Sequence, residues 1–317
     1  MEIFYESSPN LLRKSAIALG FFDGVHLGHQ TVIAAAIEEA KLKDVTSAIV
    51  TFKDHPRALI RGNSPLLLTN IEQRLDIFEN LGVQAALVLT FTEELCRLTP
   101  QEYVETVLVQ SMGARLISVG FNHHFGRQRE GNPQLLSEFG KTMGFAVRIA
   151  TPVYVDGMEV SSSKIRESLE NANLDIANKL LSRPFSLPGK VIAGEGRGAK
   201  LGFPTANLQT SQFQMLPATG VYAAKVRLSA QANKRIYYDA VVNIGCRPTF
   251  AGDINALPIT EVHLLNFKGN LYDKNIEVYF YKYLRPEMKF SGPEALKTQI
   301  NTDCKTASQL FSSLPAV

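Results

Sequence analysis

Residues 15–43 read SAIALGFFDGVHLGHQTVIAAAIEEAKLK. The opening SAIALG is apolar or small on both faces, as a strand covered by helices on each side should be. TVIAAAIEEAKLK, which closes the stretch, places its apolar residues at helical spacing. Between them Gly20, Gly24 and Gly28 allow a tight turn and a close backbone approach. His26 and His29, three apart, fall on one face of the helix start, where free N–H groups and the helix dipole attract phosphate. Two imidazoles there can hydrogen-bond a triphosphate and stabilise charge on a departing oxygen. A metal pair and two surface residues are the other readings of His-x-x-His taken alone. Its position after a strand, in a glycine turn and on a helix start, favours phosphate.

The same texture extends outward. TSAIVTF (46–52), AALVLTF (85–91), RLISVGF (115–121) and VRIATPV (147–153) are further two-sided apolar runs, and IEQRLDIFENLG and QEYVETVLVQSMG have helical spacing. Strand, helix, strand order predicts a parallel, doubly wound sheet with ligands beyond the carboxyl ends of its strands. The pattern breaks at Arg183-Pro184. Beyond it VYAAKVRLS, RIYYDAVVNIG, ITEVHLLNF and NIEVYFYKYL alternate or are rich in β-branched and aromatic residues, with turns and no helices between them. A small antiparallel barrel is expected over 184–317, after an α/β domain over 1–183. Ser291 and Glu294 have capping-box spacing, which predicts a terminal helix.

The 317 residues, 45% hydrophobic and 20% charged, suit two globular domains and exclude disorder. Three scattered cysteines, Cys96, Cys246 and Cys304, indicate neither a disulfide framework nor a thiolate zinc site. No apolar run reaches membrane-spanning length and the N-terminus lacks a signal-peptide core, so a cytoplasmic protein without membrane contact is expected. Net charge is +3, made of −3 over 1–183 and +6 over the rest. That is too thin a basic surface for nucleic acid, though it suits a phosphate-bearing ligand.

A second glycine-rich stretch, GKVIAGEGRGAKLGFPTANL (189–208), lies at the start of the barrel. Amides around Gly194, Gly196, Gly198 and Gly202, with Arg197 and Lys200, could wrap phosphates; a plain barrel turn is the alternative. No GxxxxGK[ST] occurs, so ATP would be held here without a P-loop. Pro204-Thr205-Ala206-Asn207 puts a hydroxyl and an amide oxygen on one side if extended, which suits Mg²⁺; a turn with a locally bonded Asn is the other reading. In TEVHLLNF, Glu261, His263 and Leu265 share a face, so Glu261 points to the barrel mouth or stands in solvent.

GFFDGVHLGH resembles the HxGH signature of nucleotidyltransferases and, with Phe22, Asp23 and Gly24, the prokaryotic bifunctional riboflavin kinase/FMN adenylyltransferase family. TFKDHP (51–56), VGFNHHFGRQREGN (119–132) and VSSSKIRESL (160–169) resemble further motifs of that family, in order. The PTAN run, GVYAAKV (220–226), VVNIGCRPTF (241–250), ITEVHLLNF (259–267) and YLRPEMKFSGPEALKTQI continue the resemblance over nearly the whole chain. It implies that Gly20, Phe22, Asp23, His26, His29, Asn122, Ser162, Ser163 and Arg166 serve ATP in the first domain, His29 and Arg166 catalytically. In the second it implies nucleotide contacts from Gly194, Gly196, Arg197, Gly198, Lys200, Gly202 and Pro204, Mg²⁺ on Thr205 and Asn207, and Glu261 as general base. Riboflavin, FMN, FAD and ATP are the implied partners. The chain departs from the family pattern at Asp54, His123, His124, Cys246 and Asp273, and the two histidines carry no assigned role. Transfer to another acceptor, such as a nicotinamide mononucleotide, and flavin storage without turnover are the rival functions. PTAN with Glu261 has no purpose in the first rival, and the intact charged groups disfavour the second.

Overall fold

The computed structural model describes residues 1–55, 65–194, 196–228, 236–245 and 259–313. The chain forms two compact units, Met1–Ser162 and Ser163–Val317.

In the first unit, β1 (Glu2–Phe4), β2 (Ser15–Leu19), β3 (Thr46–Phe52), β4 (Ala85–Leu89), β5 (Ala114–Gly120) and β6 (Ala146–Ala150) form one sheet in the order β1-β4-β3-β2-β5-β6. Every pairing is parallel, and β7 (Tyr154–Val155) and β8 (Met158–Glu159) form a separate antiparallel pair. The uninterrupted apolar runs have a direct cause in the two cores. Ile17, Leu19, Val50, Leu87 and Ile117 face a cluster with Val104, Leu108 and Leu136. Ala16, Ala18, Ile49, Ala86 and Val88 face the other, with Val32, Ile33, Ala36 and Phe78. Both residues of each strand period are thus buried in β2, β3 and β4, and no polar alternation survives there, whereas the edge strand β6, expected to be covered on both faces, is largely exposed because it has a neighbour on one side only.

From β2 the chain steps outward through β3 to β4, then crosses back to place β5 on the other side of β2. The strand order therefore reverses at the carboxyl ends of β2 and β5, where open α/β sheets bind ligands. The expected strands are all present within a few residues. Two details escaped the periodicity: the exposed edge strand β1, too short to show a pattern, and the widening of the QEYVETVLVQSMG helix. From Val104 to Ser111 that helix is π-helical, its Met112 N–H reaching the Val107 carbonyl at 3.2 Å.

In the second unit, β9 (Phe185–Ile192), β10 (Ala206–Gln209), β11 (Gly220–Leu228), β12 (Tyr237–Gly245), β13 (Ile259–Leu264) and β14 (Asn275–Arg285) close into an antiparallel barrel ordered β10-β13-β12-β11-β14-β9. Tyr222, Ala224, Val226, Val242, Ile244, Val262, Val278 and Phe280 are buried. The strand β9 carries Pro188-Gly189, which disguised it in the sequence. Gly189 is required there, since a Cβ would lie 2.6 Å from the Gln209 carbonyl oxygen on the neighbouring strand. The expected terminal helix spans Pro293–Ser312, but without the expected capping box. Gly292 is its N-cap and Pro293 its first residue, so Ser291 lies one position too early to cap it. The helix is fastened by Asp303, whose carboxylate accepts from Arg285 Nη2 at 2.7 Å, Arg285 Nε at 3.1 Å and Gln299 Nε2 at 3.0 Å.

The units divide earlier than the change of texture at Arg183. The helix Leu174–Leu181 buries Leu174, Ala177, Leu180 and Leu181 within the second unit. Its Asn178 donates to the Phe280 carbonyl at 2.9 Å and accepts from the Phe185 amide at 2.8 Å, tying it to β14 and β9. Among the described residues no helix is long and apolar enough to cross a membrane.

Candidate active sites

The loop leaving β2 is tightly held. Phe22 and Val25 take left-handed φ values of 59° and 40°, and Gly24 one of 82°. The buried Phe22 ring presses on Gly20, where a Cβ would lie 3.0 Å away, and meets the edges of Phe78 and His29 with centroids at 5.8 and 5.4 Å. Asp23, 3% exposed, turns its carboxylate inward to the amides of Leu68 (2.9 Å) and Thr69 (3.1 Å). The Thr69 hydroxyl in turn accepts from Gly24 N–H at 2.8 Å. Asp23 thereby shapes the loop, and Ser162 adds a hydroxyl donated to the Asp23 carbonyl at 2.9 Å.

His26 caps the helix Leu27–Lys43, its Nδ1 accepting from the His29 amide at 3.3 Å. With Nδ1 an acceptor, the neutral ring carries its proton on Nε2. The His26 and His29 rings stack, centroids 3.6 Å apart and planes 17° apart. Both imidazoles thus stand at a helix N-terminus, where the free N–H groups and the dipole attract anions. Asn122 lies exposed two residues beyond β5, the strand beside β2. The first unit thus gathers Gly20, Phe22, Asp23, His26, His29 and Ser162 around one loop. Ser163 and Arg166 follow on the helix Ser162–Glu170, in the second unit.

Arg74 was missed by motif reading. Fully buried on the helix Ile71–Leu81, it donates from Nη1 to the Phe21 carbonyl (2.7 Å) and Thr51 hydroxyl (3.2 Å), and from Nη2 to the Lys53 carbonyl (2.9 Å). Its guanidinium also covers the Phe21 ring at 4.4 Å, and Phe21 meets His55 at 4.7 Å. Burial pushes its pKa down to about 10 against the opposing pull of Asp23. The signal was present, because Arg74 occupies the apolar stripe with Ile71, Leu75 and Phe78. A charge on that stripe needs internal partners.

The two unassigned histidines separate. His124 is exposed, its Nδ1 3.2 Å from the Arg129 carbonyl. His123 stacks against Phe125 at 6.0 Å with Nε2 buried and without a hydrogen-bond partner among the described residues. Burial, then His124 and Arg129, push its imidazole down to about 4 from the ordinary 6.5. The folded protein therefore binds this proton less readily than the unfolded chain, and the associated stability, complete above pH 6.5, is lost as pH falls toward 4. His123→Phe keeps a stacked ring without titration. Its melting temperature is expected to fall less than that of the parent between those pH values; identical acid limbs in thermal denaturation would contradict this.

The second site lies in the barrel unit. A cavity of about 400 Å³ is lined by Gly196, Gly198, Thr205, Asn207, Asn243 and Glu261, among others. In the ladder Asn207 is paired with Glu261, and Glu261 with Asn243, so β10, β13 and β12 present three polar side chains in one transverse row. Of the two alternatives for Glu261, the cavity is the observed one, and no hydrogen bond holds it among the described residues. The glycines fit closely. A Cβ on Gly194 would collide with the Asn207 amide, and one on Gly198 would collide with the Phe203 carbonyl and lie 3.1 Å from the Thr205 hydroxyl. Gly196 and Gly202 have φ of 67° and 90°. Arg197 and Lys200 fall on the helical turn Arg197–Lys200, with their side chains outside the described residues, as is Cys246. The Pro204 carbonyl is 2.8 Å from His263 Nδ1. Asn243 was not singled out in the sequence, although it stands between the buried Val242 and Ile244 and so had to face another way.

The FAD synthetase profile matches residues 8–164 and the riboflavin kinase profile residues 181–311. A bifunctional riboflavin kinase/FMN adenylyltransferase of Pseudomonas fluorescens is 38% identical, over 94% of this chain and 93% of that one. The protein of the same name from Haemophilus influenzae is 35% identical over 97% of each. A crystal structure described as a macrolide-efflux protein from Streptococcus pneumoniae superposes with a TM-score of 0.85 at 27% identity, covering 97% of this chain and 99% of that one. Similarity running the length of both units makes this chain a member of the bifunctional riboflavin kinase/FMN adenylyltransferase family.

Proposed function

We propose that the chain makes FAD from riboflavin in two ATP-dependent steps, with the residue roles that follow. The observation that carries the kinase step is the row of Asn207, Glu261 and Asn243 in one cavity with Thr205. Glu261 takes the proton of the ribityl 5′-hydroxyl, the oxygen attacks the γ-phosphorus of ATP, and ADP leaves with FMN formed. Gly194, Gly196, Gly198, Gly202 and Pro204 shape the phosphate enclosure, with Arg197 and Lys200 as its cations.

Thr205 and Asn207 would hold Mg²⁺. Both offer hard oxygens, and the glycine backbone approaches them so closely that a Cβ on Gly194 or Gly198 would fill the space. Two protein ligands suit this ion, which completes its shell with water and substrate phosphates. When bound, it would offset charge on the transferring phosphates.

In the second step an FMN phosphate oxygen attacks the α-phosphorus of another ATP and pyrophosphate leaves, giving FAD. His26 and His29, with Ser163 and Arg166, stabilise the developing charge, while Gly20, Phe22, Asp23, Asn122 and Ser162 shape the nucleotide site. No covalent intermediate is required, because positioning and electrostatics suffice between phosphate oxygens. The assigned motifs pass from one activity to the other near Arg183, a reading supported by a kinase profile beginning at 181, although the helix Leu174–Leu181 before it packs within the barrel unit. Consumption of ATP at both sites supports action in the cytoplasm. Incubating the purified chain with riboflavin, ATP and Mg²⁺ and separating the flavins is expected to show FMN, then FAD. Unchanged riboflavin would overturn the reading.

A further inference from the structure

We propose that His263 is a positioning residue of the kinase site, one that sets Thr205 and Asn207 through the Pro204 carbonyl. The proposal rests on the kinase reading above. The β10–β13 ladder pairs Asn207 with Glu261 and Ala206 with Val262, and Ala206 is the first residue of β10. Pro204 has no N–H to extend that ladder. Here the side chain of His263, the residue following Val262, takes over from the backbone, with Nδ1 2.8 Å from the Pro204 oxygen.

A carbonyl only accepts, so Nδ1 carries the proton and donates, which fixes the tautomer. The Phe203 ring meets the imidazole edge-on with centroids 5.6 Å apart. Phe203 is itself fixed by its amide, which donates to the Gly198 carbonyl at 2.8 Å. The imidazole thus joins the glycine turn to the strand start. The peptide it grips is the one whose nitrogen belongs to Thr205, so a shift of that carbonyl displaces the Thr205 hydroxyl directly. Phe203 and His263 also line a second, open cavity on the side of the terminal helix, with Asn266, Asn301 and Lys305. Both residues line the two cavities, so they stand between it and the site.

The experiment compares His263→Leu, His263→Asn and His263→Gln in the full chain, measuring FMN formation while varying Mg²⁺·ATP and riboflavin separately. An Asn amide nitrogen falls where Nδ1 was, whereas that of Gln falls where Nε2 was. Loss of one such hydrogen bond is expected to raise the KM for Mg²⁺·ATP about tenfold in the Leu and Gln variants. The KM for riboflavin should stay within about twofold, and the Asn variant should stay within about threefold of the parent for both substrates. FMN adenylylation in the same preparations serves as the internal control and should not change. A Leu variant that matches the parent would overturn the proposal. So would an Asn variant as poor as Leu, or equal losses toward both substrates, which would mark His263 as merely structural. A parent chain that forms no FMN would instead refute the kinase reading itself.

Discussion

Glu261→Gln is expected to lower riboflavin phosphorylation about 10³-fold, within the range of a lost general base, while supplied FMN is still converted to FAD. The substitution keeps the side chain's size and its place in the row between Asn207 and Asn243. What it removes is the capacity to accept the hydroxyl proton at neutral pH. A primary hydroxyl is a poor nucleophile until that proton has somewhere to go, so the loss should appear in kcat with the KM for ATP nearly unchanged. Because FMN and FAD separate by chromatography, one reaction mixture reports both steps. Retention of more than about a tenth of the FMN formation rate would remove Glu261 from the base role, since even the weakest such contribution is about a hundredfold.

His29→Ala is expected to halt the sequence at FMN, with adenylyl transfer reduced about 10²- to 10³-fold, the cost of deleting one preorganised donor to a developing charge. The effect has two sources. An electrostatic partner of the pyrophosphate oxygen is lost, and so is the ring that stacks on His26 at 3.6 Å and meets Phe22 at 5.4 Å. His29→Phe separates them by keeping the ring and removing the donor. If His29→Phe is as impaired as His29→Ala, the donor accounts for the loss; if it recovers most of the rate, packing does. Phosphorylation of riboflavin should be unaffected in both. Loss of both activities in a folded variant would contradict two independent sites.

Much of this molecule was legible because its strands are buried on two faces. Runs such as Ser15–Leu19 and Ala85–Leu89 show no polar alternation, and only a parallel sheet between helices asks for that. The glycine-flanked His26 and His29 were readable for a similar reason, since few other arrangements need those residues after a strand. What stayed hidden depends on contacts between residues distant in sequence. Arg74 is engaged by Phe21, Thr51 and Lys53, none of which its own helix announces. Asp23, which the resemblance assigns to ATP, also accepts from the amides of Leu68 and Thr69, 45 and 46 positions away, a role its motif does not show. The strand β10 is only four residues long and follows a proline, so no periodicity could accumulate. Asn243 became visible as a site residue only when the barrel closed and set β12 beside β13.

The helix Leu174–Leu181 decides how the kinase could be made as a separate protein. Sequence texture suggests cutting at Arg183, and a fragment starting there would keep every motif of the barrel. It would also lose Asn178, leaving the Phe280 carbonyl and the Phe185 amide without the side chain that pairs both, and would uncover the apolar surface now beneath Leu174, Ala177, Leu180 and Leu181. An expression boundary belongs before Leu174, so the shortest autonomous kinase is longer than its recognisable motifs.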